Sequence, residues 1–134
     1  IAAIHSGWKG ANSGIIENLI KKFKQKRSKI SNLIVAIGPC IAQKNYEVKA
    51  DFIKKIKIDN YDYKKYFRNM DKKIYFNLRL FVNNKFLRLG IPKRNIDHIN
   101  KDTYGDYKNF FSYRRSVHNN ESDYGRCISV ICRY

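Results

Sequence analysis

The chain is short of proline, cysteine and acid. Two prolines and seven glycines among 134 residues form no Pro- or Gly-rich linker, and no repeat or low-complexity tract divides the sequence, so a single domain is expected. The three cysteines, Cys40, Cys127 and Cys132, are odd in number and show no C-x-x-C spacing. Neither a disulfide framework nor a closed structural zinc site is suggested, and a reducing compartment fits. No apolar run approaches the length of a bilayer span, and the first residues lack the basic start, apolar middle and small-residue cleavage site of a signal peptide. The expectation is a soluble, cytoplasmic protein without a membrane partner.

Acid is scarce relative to base: 11 Asp and Glu against 28 Lys and Arg give a formal net charge of +17. A balance of that size favours a polyanion through counterion release. The lysines, however, are scattered in pairs through segments that read as helices and loops, alongside abundant Ile and Asn, as A/T-biased coding would leave them. With no helix-turn-helix, RRM or zinc-finger pattern beside the charge, solvated faces account for it and a nucleic-acid partner is disfavoured. A basic nucleic-acid-binding module stays as the rival from a different class.

What is present is a core. Hydrophobic residues make up 43% and aromatics 14%, which supports a packed globular fold. Ile1 to Ile4 reads as a short buried strand that runs into His5 and a turn containing Gly7 and Gly10. A histidine where a strand ends is held rigidly yet left open, a position suited to a metal ligand or an acid/base group, although a lone histidine is more often structural. Asn12 or Ser13 can cap a helix carrying Ile15, Ile16, Leu19, Ile20 and Phe23 on one face. Asn32 to Ile37 reads as a second buried strand ended by Gly38-Pro39, and Cys40 at its exit either lines a pocket or fills space behind the turn.

Tyr46-Glu47-Val48 is expected to open a second helix with Phe52, Ile53 and Ile56. Residues 57–73 read as a loop with short helical turns, whose Tyr61, Tyr63, Tyr66 and Phe67 suit packing onto the body better than a base-stacking surface. Lys73 to Phe76 is a short strand. A long helix from Asn77 through Leu89 stops at Gly90-Ile91-Pro92. Asn95 to Ile99 alternates as a strand with His98 structural, residues 116–123 form a polar loop around His118, and Arg126 to Arg133 is expected to be the final strand with Cys127 and Cys132 in the core. This order predicts an α+β fold, a mixed β-sheet with helices packed on it.

Taken in order and spacing, His5-Ser6-Gly7-Trp8-Lys9-Gly10, Gly38-Pro39-Cys40-Ile41, Tyr46-Glu47-Val48, Phe110-Phe111-Ser112-Tyr113-Arg114-Arg115 and Gly125-Arg126 resemble the laccase-domain family, also called multicopper polyphenol oxidoreductase-like. The resemblance implies that residues 1–134 are the C-terminal part of a larger single domain, and that this part alone is inactive. It implies a zinc-dependent purine nucleoside phosphorylase that takes adenosine- or inosine-type nucleosides and phosphate, with adenosine deaminase side activity.

The family's zinc ligands are two histidines and a cysteine, of which His5 alone has a match here. On the substrate side, Trp8 would stack on a purine or wall the pocket. Lys9, where relatives often carry Arg, would offer a point charge, and Arg114 and Arg115 would offer phosphate a bidentate fork. Adjacent arginines in a strand point to opposite faces, so at most one would reach the pocket. Glu47 is the one acid that can be nominated as a proton shuttle for deamination, and capping at a helix start explains it equally well. Asp102 stands where many members of the family carry cysteine. Copper-dependent polyphenol oxidation, the family's older description, is a second enzymatic reading, poorly supported by three histidines that form no His-x-His pair. The preferred nucleoside and the oligomeric state are not legible in the sequence.

Overall fold

The structure is a computed structural model that describes residues 1–56 and 63–132. Apart from short 3₁₀ turns, its elements begin with α1 (Trp8–Asn12), α2 (Ile15–Gln25), β1 (Val35–Ile37), β2 (Glu47–Val48) and α3 (Ala50–Lys55). They are followed by β3 (Phe67–Met70), β4 (Lys73–Phe76), α4 (Leu78–Arg88), β5 (Ile96–His98) and α5 (Tyr113–His118).

Helix α4 forms where the spacing predicts it. Asn77 caps its start, the side-chain oxygen accepting from the Leu80 N–H at 2.9 Å. Leu78, Phe81, Val82 and Phe86 supply the buried stripe. Gly90, at φ 92°, takes the left-handed conformation that ends the helix, and Ile91 N–H closes back onto the Phe86 carbonyl at 3.1 Å.

The strand just before this helix is the centre of a three-stranded antiparallel sheet with the order β2-β4-β3. β3 and β4 are joined by Asp71 and Lys72, both at positive φ, which is the backbone of the tight hairpin turns whose twist matches the strands. β2 corrects an expectation: Tyr46-Glu47-Val48 does not open a helix. Glu47 and Val48 pair with Tyr75 and Ile74 of β4, and the helix begins only at Ala50. An available strand edge outweighs the local helical pattern. The capping explanation for Glu47 goes with it, since its carboxylate instead meets Lys73 Nζ at 2.9 Å on the surface.

β1 and β5 form a separate parallel pair with Val35, Ala36 and Ile37 opposite Ile96, Asp97 and His98. β1 is shorter than the expected 32–37, because residues 30–32 wind into a 3₁₀ turn and Ile34 is 83% exposed. Asn95 fixes this crossing by donating to the carbonyls of Ser31 and Leu33 at 2.9 and 3.1 Å. The α+β class and the mixture of parallel and antiparallel pairing hold, with the pairing split between two small sheets among the described residues.

The core lies between α4, the antiparallel sheet and α2. Phe76 is fully buried, with the rings of Phe52, Phe67 and Phe81 centred 5.1, 5.2 and 5.6 Å away. Ile16 and Ile20 of α2 close it from the other side. Tyr66 is buried edge-on against Phe81, and Phe67 packs on Phe76, so these two aromatics serve packing as expected. Tyr61 lies outside the described residues.

Four further expectations are corrected. Helix α2 has no side-chain cap from Asn12 or Ser13; Gly14 at φ 93° is its N-cap, because α1 runs through Asn12 and the chain must turn sharply. Ile1 to Ile4 is neither a strand nor buried, Ile1 being 71% exposed. The final strand is also missing over residues 126–132: Ile128 is 88% exposed and Cys127 and Cys132 are exposed rather than in the core, while Arg133 lies outside the described residues. Apolar alternation makes a strand only beside another strand that takes up its backbone groups, and no described segment pairs with either stretch. Finally, residues 113–118 are helical, Ser112 accepting from the Arg115 N–H at 3.4 Å, so the polar loop begins at Asn119 and Ser116 is buried.

No helix among the described residues is long and apolar enough to cross a membrane.

Candidate functional site

His5 sits on the turn that leads into α1, with its side chain folded back over Gly7. A Cβ added at Gly7 would lie 3.3 Å from His5 Nε2, so a larger residue there would shift the imidazole by a few tenths of an ångström. His5 is exposed. Next to it, Trp8 packs on Phe52 with the rings tilted 57° at a centroid distance of 4.8 Å, which makes it a wall of the aromatic core, and Lys9 Nζ lies 5.9 Å from the indole.

An open zinc site converges three protein donors and leaves a fourth position free. Among the described residues no three His, Cys, Asp or Glu side chains gather. Residues 1–56 and 63–132 therefore do not fit a zinc or copper centre by themselves. His5 can give one donor nitrogen and no more.

Helix α5 turns Arg114 and Arg115 about 100° apart rather than to opposite faces of a strand. Both guanidinium groups reach backbone carbonyls. Arg114 donates to Glu47 at 2.6 Å and lies 5.1 Å over the Tyr46 ring. Arg115 gathers the carbonyls of Thr103 and Tyr104, each at 2.8 Å, and that of Phe110. The two arginines thus tie the C-terminal segment to β2 and to the 103–110 loop. Burial pushes the Tyr46 hydroxyl up to about 12, against the opposing pull of Arg114.

Beyond the carboxyl ends of β1 and β5 the two segments meet again with the register shifted by one residue: Thr103 N–H donates to the Cys40 carbonyl at 3.2 Å, and Cys40 pairs with Asp102 as an isolated parallel bridge. Asp102 is the hub of this corner. Its carboxylate accepts from Ala42 N–H at 2.9 Å, Asn45 Nδ2 at 2.6 Å and Tyr104 N–H at 3.1 Å. Burial works to raise its pKa, but the donors of Ala42, Asn45, Tyr104 and Gly105 outweigh burial and hold the carboxyl below its ordinary value. Cys40 is half-buried, and burial raises its thiol despite the nearby Arg79 guanidinium.

An open cleft of about 510 Å³ adjoins this corner, bounded by Ala42, Gln43, Asn77, Arg79, Asn83 and His98 among others. Arg79 is pinned by donating to Asn100 and to the Lys101 carbonyl, and His98 by the contact of Nε2 with Asn83 Oδ1 at 3.2 Å. His98 is held structurally, as expected. His118 ends α5 and meets the Tyr104 hydroxyl at 2.9 Å. The sequence pointed to Asp102 only as a departure from a familiar pattern. It carried no signal for Arg79, whose partners lie more than twenty positions along the chain.

Residues 1–134 as a whole match one family, described as multi-copper polyphenol oxidoreductase laccase, and the chain belongs to it. Among its relatives, a purine nucleoside phosphorylase of Rickettsia conorii is 36% identical over 133 residues, covering 98% of this chain and 54% of the relative. One from Rickettsia prowazekii is 37% identical over 120 residues, 88% of this chain and 48% of the relative. The solved structure of the hypothetical protein YfiH of Bacillus licheniformis superposes with a TM-score of 0.76 at 27% identity, over 84% of this chain and 43% of that one. The chain spans about half the length of the curated relatives it matches.

Proposed function

We propose that the chain is the C-terminal part of a zinc-dependent purine nucleoside phosphorylase, acting on adenosine- or inosine-type nucleosides and phosphate in the cytoplasm, with adenosine deaminase as a side activity. The observation that carries this reading is the identity with relatives named purine nucleoside phosphorylase along nearly the whole chain. His5 at an open turn beside Trp8 and Lys9 supports it.

Phosphorolysis puts phosphate beside C1′ of the ribose while positive charge develops on the sugar and the purine leaves. The residues here have three tasks in that reaction. His5 provides one nitrogen toward a metal whose remaining donors come from outside residues 1–134; zinc would supply Lewis acidity there. Trp8, already backed by Phe52, offers a rigid aromatic edge beside His5. Lys9 and the arginine pair supply positive charge. Arg114 and Arg115 spend nitrogens on the carbonyls of Glu47, Thr103, Tyr104 and Phe110, so their part in holding phosphate is mainly to fix the segments around it.

The test is a longer form of the protein that restores the remaining half, assayed for zinc content and for phosphate-dependent release of hypoxanthine from inosine. His5→Ala should lose both together. Stoichiometric zinc in that variant would remove His5 from the ligand set, and phosphate-independent turnover would overturn phosphorolysis itself.

A further inference from the structure

We infer that the cleft between the start of α4 and the ends of β1 and β5 is a binding site for a small phosphomonoester with a polar body, such as a sugar phosphate. Four independent features of the cleft favour an anion. Arg79 stands in its wall as a permanent cation, and both terminal nitrogens are already held, by Asn100 and by the Lys101 carbonyl, so the planar fork is fixed before any ligand arrives. The first turn of the eleven-residue helix α4 supplies Asn77, Arg79 and Leu80 to the lining, which puts the positive end of the helix dipole there. The cleft opens beyond the carboxyl ends of two parallel strands, since β5 ends at His98 and the chain leaving β1 supplies Ile41 to Gln43. No acid lines it.

Two of the lining residues are also held from behind. The Arg79 guanidinium meets the Cys40 thiol as well as Asn100 and the Lys101 carbonyl, and His98 Nε2 meets Asn83 Oδ1, so both side chains stand preorganised in the cleft wall. Among the other charged groups nearby, the Asp102 carboxylate bonded to Ala42 opposes an anion, and the donors of Ala42, Asn45 and Tyr104 that it accepts offset part of its charge. Cys40 lies behind Arg79 with its thiol pushed toward the neutral form. The Asp97 carboxylate accepts from the His98 N–H and is exposed on the other face of β5.

The size of the cleft speaks for more than a bare oxyanion. About 510 Å³ falls within the roughly 300–1,000 Å³ of small-molecule sites. The rest of the lining is amide side chains, Gln43, Asn77, Asn83 and Asn100, with Ile41 and Leu80 as apolar walls. Amides offer donor and acceptor together and suit the hydroxyls of a sugar. The inference does not depend on phosphorolysis, because binding is read without turnover.

The experiment titrates the full chain with ribose 5-phosphate, ribose and inorganic phosphate, following backbone amide shifts of Ala42, Gln43 and Leu80 and the His98 ring by NMR. Ribose 5-phosphate should bind saturably, inorganic phosphate at least tenfold more weakly, and ribose not measurably. Arg79→Gln should weaken ribose 5-phosphate at least tenfold and His98→Gln by a smaller factor, while Arg126→Gln, an exposed arginine elsewhere, should leave it unchanged. If Arg79→Gln fails to fold by circular dichroism, Arg79→Lys, which keeps the charge and loses the fork, takes its place with the same expected loss. Equal binding by the Arg79 variants, shifts confined to other surfaces, or equal affinity for ribose would overturn the assignment. Inorganic phosphate binding as tightly as the sugar phosphate would overturn the polar-body part of it.

Discussion

Asp102 accepts a 2.6 Å hydrogen bond from Asn45, fifty-seven positions earlier in the chain, and through it the segment after β5 is locked to the 3₁₀ turn that follows Cys40. The same carboxylate takes the N–H groups of Ala42 and Tyr104. Removing it strands several donors at once. Asp102→Ala should cost about 1 kcal/mol in urea unfolding, the low end of the range for stranded polar groups, because this corner is only partly buried. An unchanged midpoint would mean that water replaces the carboxylate freely.

The same group gives a pH dependence with a definite sign. Its pKa is depressed in the folded chain, so its contribution is fully present above the unfolded value of about 3.9 and disappears as pH falls through the lower folded value. The wild-type chain should lose stability in the acid range below about pH 4, and Asp102→Asn should flatten that part of the curve. Parallel curves for the two proteins would show that Asp102 does not contribute.

Arg115 holds three carbonyls with one planar fork. Lysine keeps the charge and has the reach for one of them. Arg115→Lys should therefore lower stability by about 1–3 kcal/mol. In the longer protein its main kinetic effect should be on the amount of folded enzyme, with the phosphate KM of that folded fraction changing less than twofold. A large selective rise in phosphate KM with unaltered melting would restore the sequence-based picture of a direct phosphate clamp.

Phe76 is fully buried at the meeting point of Phe52, Phe67 and Phe81. Phe76→Ala should cost about 3–5 kcal/mol, as for large aromatic deletions in cores. Phe76→Leu should recover more than half of that. Chemical denaturation of the pair measures both.

The 134-residue chain alone should neither retain stoichiometric zinc after dialysis nor cleave inosine, because one imidazole does not fix an open-site metal. Metal analysis and a phosphorolysis assay with added zinc check this. Turnover at the rate of an intact relative would place a complete site within these residues.

The sequence alone determined the parts of this protein whose cause is local. Helix α4 carries its own cap, stripe and stop within the stretch from Asn77 to Gly90, and β4 and β5 lie where short apolar alternation placed them. The family was legible from five motifs in order, because glycine, tryptophan and paired arginines at set spacings are rare together. What the sequence could not decide depended on partners far along the chain. Tyr46-Glu47-Val48 has a helical pattern but became an edge strand, because β4 offered it hydrogen bonds. Residues 1–4 and 126–132 have strand patterns but make no strand among the described residues, since a strand exists only by pairing. The roles of Arg79, Asp102 and Arg115 were likewise decided by tertiary structure: each is a charged side chain whose work is set by the carbonyls, amides and thiol that the fold brings around it.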